Sequence, residues 1–141
     1  MTDALLEQKI KKIISDHQIG TMATVAQNRP YSRYMTFFAD QFILYTATAK
    51  QTHKVEDIEE NPYVHLIIGF TFDGTHDEYV EIEGQCSIHD DPSIKKKLWN
   101  KELEPWFSGV DDPNYLVLKI TPQAIHLKND HQQKSNTYNL S

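Results

Sequence analysis

The sequence predicts a mainly β, α+β domain in which about seven antiparallel strands close fully or partly into a barrel flanked by helices. Two observations carry this. Short runs rich in apolar and β-branched residues recur along the chain, separated by turn residues. The clearest run, Tyr79–His89, alternates strictly: Val80, Ile82, Gly84, Cys86 and Ile88 share one face, and Glu81, Glu83, Gln85 and Ser87 share the other. Closure of such a sheet removes the exposed edges that a row of short strands otherwise presents.

Each element follows in order. Asp3 is placed to cap a first helix with Leu6, Ile10, Ile13, Ile14 and His17 on one face, closed by Gly20. Residues 21–27 alternate as a strand, and Asn28, Arg29 and Pro30 read as a turn. Residues 31–38 and 41–47 give the next two strands, joined tightly at Ala39 and Asp40. A short helix is expected to begin between Thr48 and Lys54, with Thr48 and Gln51 as a capping box, and to end at Asn61 and Pro62. Residues 64–70 are nearly all apolar and predict a strand covered on both sides. Residues 71–78, with Gly74, form a polar loop before the strand Tyr79–His89.

Asp91 and Pro92 start a helix whose apolar side carries Ile94, Leu98, Trp99, Leu103, Trp106 and Phe107. Asp111, Asp112 and Pro113 break it. Residues 115–121 form a strand, and Pro122 opens a last short one at 124–127. The tail after Lys128 is polar and is expected to be a disordered or loosely held arm. The 141 residues are read as a single domain over 1–128 with a polar tail at 129–141.

The formal net charge of −6 argues against general nucleic-acid binding, which depends on neutralising phosphates. No apolar run is long enough to span a bilayer, and the charged N-terminal stretch is unlike a signal peptide, so a cytoplasmic location without membrane attachment is expected. A single cysteine, Cys86, excludes an internal disulfide framework; its place on an apolar strand face marks it as a small core residue. The seven histidines are scattered without ligand spacing, so no metal site is expected.

One constellation stands out between Gly20 and Pro62. Arg33 lies inside an otherwise apolar strand pattern. Tyr45 and Thr46 lie near a strand end, and Thr52, His53 and Lys54 fall where a helix begins. Hydroxyls and cations at a helix N-terminus suit an anion, because the helix dipole and free N–H groups favour negative charge there. Arginine adds a fork of donors matched to phosphate, and lysine adds a point charge. Each residue also has a structural reading. Arg33 can pair with Glu81 or Glu83, Lys54 can belong to a solvated helix face, Thr52 can serve as a cap, and Tyr45 and Thr46 fit strand propensity alone. Trp99, Trp106 and Phe107 fit a core or an interface.

The ordered segments GTMATV, PYSRYMTFF, FILYTAT, THKVEDIEENP, YVEIEGQCSI, LWNKELEPWF and DDPNYLVLKITP resemble the general stress protein 26 group of the pyridoxamine 5′-phosphate oxidase-like, FMN-binding split-barrel family. The resemblance runs over about residues 5–127. It implies a split barrel of six to seven strands, a homodimer, and a flavin at the subunit interface, FMN with FAD as the variant. Arg33 and Lys54 would then hold the phosphate, with Thr52 and His53 beside it. Tyr34, Met35 and Thr36 would run along the flavin ring, and Tyr45 and Thr46 would meet the phosphate or ribityl chain. The implied activity is flavin-dependent oxidoreduction with NAD(P)H or a small substrate as partner, in a stress-related setting. The alternatives are a non-catalytic flavin buffer or sensor and, further off, a haem protein with His126 as the ligand.

The chain departs from the family pattern at named places. Phe38 stands where pyridoxamine phosphate oxidases carry a lysine. Tyr79 replaces a flavin-holding glutamine, and Leu127 stands where many relatives have tryptophan. The Arg-x-His motif that grips pyridoxal-type substrates is missing. Vitamin B6 oxidation is therefore not expected.

Overall fold

The computed structural model describes residues 3–71, 77–130 and 136–140. The elements run α1 (Asp3–Asp16), β1 (Ile19–Ala26), β2 (Arg29–Thr36), β3 (Phe38–Asp40), β4 (Ile43–Ala49), α2 (His53–Glu60), β5 (Tyr63–Gly69), β6 (Tyr79–His89), α3 (Pro92–Leu98), a 3-10 turn (Lys101–Leu103), β7 (Tyr115–Lys128) and β8 (Thr137–Asn139). The strands form one antiparallel sheet in the order β2-β1-β5-β6-β7-β4-β3, with β8 added to β7. The molecule is a split barrel of the mainly β, α+β class.

Alternation builds the core. Met22, Leu44, Leu66, Ile68, Val80, Ile82, Cys86, Leu118, Ile120 and Ile125 point inward, and α1 lays Leu6, Ile10 and Ile14 onto the same cluster. A second cluster lies on the other face of β7 and β4. There Tyr115 and Val117 pack with Leu103 and Phe107, and α3 adds Ile94 and Leu98. Burial pushes the Cys86 thiol up to about 12, as suits an inert core residue.

Several expectations change in detail. The first hairpin turns on Gln27 and Asn28, both at positive φ (52° and 62°), so Arg29 and Pro30 belong to β2. This matches a two-residue hairpin turn, which requires positive φ at both positions. Pro30 is tolerated because β2 is the sheet edge. Gly20 lies within β1, beyond the end of α1. A Cβ there would stand 2.6 Å from the Ile67 carbonyl oxygen, so glycine permits the close approach of β5. The expected strand at 31–38 divides after Thr36, and the β3–β4 hairpin turns at Gln41 (φ 56°) rather than at Ala39 and Asp40.

β5 is covered on one side only: Val64, Leu66 and Ile68 are buried, while Tyr63 and Ile67 are exposed. The helix expected through Phe107 stops at Leu98, because Trp99 and Asn100 take extended ψ values of 131° and 175°. Pro122 interrupts nothing. β7 runs through it, with a register shift opposite Glu83 and Gly84 that leaves Gln123 unpaired against β6. Part of the tail is held: β8 pairs with β7, and Tyr138 packs on Phe42 with ring centroids 5.0 Å apart. The loop glycine Gly74 lies outside the described residues. No helix among the described residues is long and apolar enough to cross a membrane.

Candidate functional site: a cationic cleft at the barrel seam

The sheet does not close by backbone pairing between its ends. β2 lies at one end, β4 and β3 at the other, and Phe37 links them in sequence. β3 pairs only with residues 43–45 of β4, so the rest of that edge faces β2 without a strand between them. The Thr46 hydroxyl donates to the Thr36 carbonyl at 2.7 Å and ties the two ends. A cleft of about 460 Å³ opens beside this tie, within the size range of small-molecule sites.

Arg33, Tyr34, Met35 and Thr36 of β2, Thr46 of β4, and Thr52 and Lys54 at the start of α2 all line it. Seven of the nine residues singled out from sequence therefore meet in one cleft. Tyr45 and His53 do not. Tyr45 follows the two-residue period to the opposite face from Thr46 and packs with the second core cluster. The His53 side chain is fully exposed, 4.0 Å from Glu56, and lines a separate depression with Lys50, Gln51 and Thr52.

Two cations, Arg33 and Lys54, and one carboxylate, Glu102, line the cleft. The Arg33 guanidinium donates to Thr24 Oγ1 at 2.9 Å and to the Met22 carbonyl at 3.2 Å. Lys54 Nζ donates to Thr48 Oγ1 at 2.7 Å. Thr48 thus serves as a partner of Lys54 from within β4 and forms no capping box. Neither cation lies within ion-pair distance of a carboxylate among the described residues. Glu81 pairs with Lys128 at 3.4 Å, and Glu83 pairs with His126, so neither reaches Arg33.

Burial lowers the pKa of both cations. Asp57 partly offsets this for Arg33, whereas the charge of Arg33 adds to it for Lys54. The two cations are thus held half-buried against desolvation and mutual repulsion, an arrangement that an anion relieves.

Thr52 supplies the third component. It is the N-cap of α2 at φ −115° and ψ 151°, yet its side chain makes no capping bond. Its Oγ1 is buried without a hydrogen-bond partner. A threonine cap ordinarily accepts from the first turn, and an orphaned buried hydroxyl carries a desolvation cost. The Val55 N–H already donates to the Thr52 carbonyl at 3.2 Å, so at this helix start the Thr52 hydroxyl is the group left in need of a partner. The donor set fits a phosphate.

Sequence reasoning missed part of the wall. Phe38, noted only as a departure from the family, lines the cleft, and so do Thr48, Glu102 and Trp106. Trp106 was grouped with core or interface residues; it is 77% exposed on the single chain, which rules out the core and is compatible with an interface. The helical spacing of its neighbours concealed this. The break at Trp99 and Asn100 was the available signal, since asparagine favours caps over helix interiors. Of the other departures, Leu127 is buried in the core and Tyr79 packs edge-on against Phe70. Among the described residues no histidine lines the cleft, and His126 sits elsewhere, bonded to Glu83 and Thr137.

A split barrel with a cleft at its seam defines a class, and comparison with known proteins agrees with the fold. The family model described as pyridoxamine 5′-phosphate oxidase matches residues 6–129, and the chain belongs to that family. General stress protein 26 of Bacillus subtilis (strain 168) is 45% identical over 124 residues, spanning 88% of this chain and 89% of the relative. The crystal structure of General Stress Protein 26 from Bacillus anthracis str. Sterne superposes with a TM-score of 0.85 at 38% identity, over 96% of this chain and 98% of that one. A FAD-binding protein from Mesorhizobium loti shares the fold at a TM-score of 0.71 and 16% identity, covering 84% of this chain and 90% of that chain.

Proposed function

We propose that this chain is a flavin-binding protein, FMN by preference, and a flavin-dependent oxidoreductase of the family to which it belongs. The observation that carries this is the convergence of two half-buried cations lacking a carboxylate partner on the orphaned hydroxyl of Thr52. Arg33 would hold the phosphate with its fork, Lys54 would add charge, and Thr52 would donate its hydroxyl proton. Tyr34, Met35, Thr36 and Thr46 would flank the remainder of the cofactor. When bound, the flavin supplies the electron or hydride transfer. The protein's share is to bind it, orient it and shield it.

The same reading includes a homodimer with the flavin between subunits, a cytoplasmic setting and a stress-linked role. The exposure of five of the eight residues of β2, an edge strand, supports a partner copy beside the cleft. The printed names of the relatives support the stress link. FAD remains the competing cofactor, because both share a phosphate that this site would take.

The test is FMN binding followed by quenching of flavin fluorescence, with riboflavin as the control. Tight FMN binding and weak riboflavin binding are the expected result, and no FMN binding overturns the reading. FMN-dependent oxidation of NAD(P)H then separates an enzyme from a flavin buffer or sensor.

A further inference from the structure

We infer that Trp106 is a stacking platform that holds the planar ring of the ligand in the seam cleft; this rests on the flavin reading above. The indole lines the cleft with 77% of its surface exposed, which is unusual for the largest apolar side chain. The segment carrying it is firmly built. The Asn100 side chain accepts from the Glu102 N–H at 2.8 Å, and the N–H groups of Trp106 and Phe107 both reach the Leu103 carbonyl at 3.0 Å. Leu103 and Phe107 are buried on either side of the tryptophan in sequence, and Phe107 packs on Tyr115 with centroids 5.0 Å apart.

After Phe107, the Asp112 carboxylate accepts from Ser108 N–H and Asn114 N–H, both at 2.9 Å, which fixes the exit of the loop. The chain therefore anchors the neighbours of Trp106 and leaves its ring facing the cleft. A rigid aromatic face at low entropic cost suits a planar, electron-poor heteroaromatic ring. The phosphate-suited groups Arg33, Lys54 and Thr52 occupy the same cleft, so one ligand would carry both an anion and a ring.

The experiment compares wild type with Trp106→Ala, Trp106→Phe and the control Trp99→Phe, in which the altered tryptophan is packed against Tyr115 away from the cleft. FMN affinity and the brightness of fully bound FMN are measured together, with light scattering for oligomeric state. An indole in contact with an excited flavin quenches it, so Trp106→Ala is expected to leave bound FMN brighter. It is also expected to weaken binding by roughly ten- to a hundredfold, with Trp106→Phe between the two. Trp99→Phe is expected to change neither. Bound FMN as dark in Trp106→Ala as in wild type overturns the platform while leaving the flavin reading intact. So does an affinity loss that accompanies a changed oligomeric state. A wild type that takes up no FMN overturns both.

Discussion

The Thr46 hydroxyl donates to the Thr36 carbonyl oxygen at 2.7 Å, and with it β4 is fastened to β2 where no backbone ladder joins them. Thr46 is 2% exposed, so its hydroxyl has no water as a substitute, whereas Thr36 is only partly buried beside the cleft. Thr46→Val keeps the shape and removes the donor. The expected cost is about 0.5–1.5 kcal/mol of stability, the net worth of an ordinary hydrogen bond. Chemical denaturation measures it, and Thr46→Ser is expected to recover most of the loss.

Replacing Arg33 and Lys54 together with alanine is expected to lower FMN affinity by on the order of a hundredfold or more, as charge-assisted hydrogen bonds to phosphate contribute about 1.5–3 kcal/mol each. The ligand-free fold should survive, because both cations stand desolvated without an ion pair. Titration with FMN alongside a thermal melt checks both halves. Unchanged affinity would remove the site assignment and leave the fold untouched.

FMN affinity should fall as pH rises through the depressed pKa of Lys54, which lies below its ordinary 10.5. Linkage fixes the sign. Between the folded and unfolded pKa values the unfolded chain holds more protons, so ligand-free stability rises with pH in that alkaline window. Below the folded pKa the full cost of holding the charged amine is present. A bound phosphate favours the charged amine and reverses that preference. Affinity measured across the alkaline range in wild type and Lys54→Arg tests this, with the arginine variant expected to hold its affinity to higher pH.

Gly20→Ala should cost about 1–3 kcal/mol through overpacking, as the new methyl meets the Ile67 carbonyl at 2.6 Å and the Ile68 side chain at 2.8 Å. Both contacts lie in the β1–β5 pairing, so relief requires the strands to part. Urea unfolding of the ligand-free protein measures the effect.

The barrel was legible where burial follows a strict period. Val80, Ile82 and Cys86 face inward as their alternation requires, and β6 has the predicted bounds. Short-range chemistry was less reliable. Asn28 signalled a turn, but positive φ at Gln27 moved the hairpin forward by a residue. At the cleft, Arg33, Thr52 and Lys54 could be picked out because a cation in an apolar strand and a cation in a first turn each invite an anion. Tyr45 and Thr46 were grouped as neighbours, although adjacent strand residues point apart. The exposure of Trp106 and the docking of β8 onto β7 escaped the reading for a common reason: both depend on distant segments, which no local pattern records.

β7 has a consequence for synthesis. It is the only strand among the described residues that joins β6 to β4, and it enters the sheet from near the C-terminus. A nascent chain on the ribosome can form the β1–β2 hairpin early, but β4 must wait with one edge unpaired until residues 115–120 have emerged. The seam cleft therefore takes shape only once residues 115–120 are available, and a chain stalled at the loop around Asp112 would display the β4 edge to whatever chaperone or neighbour meets it first.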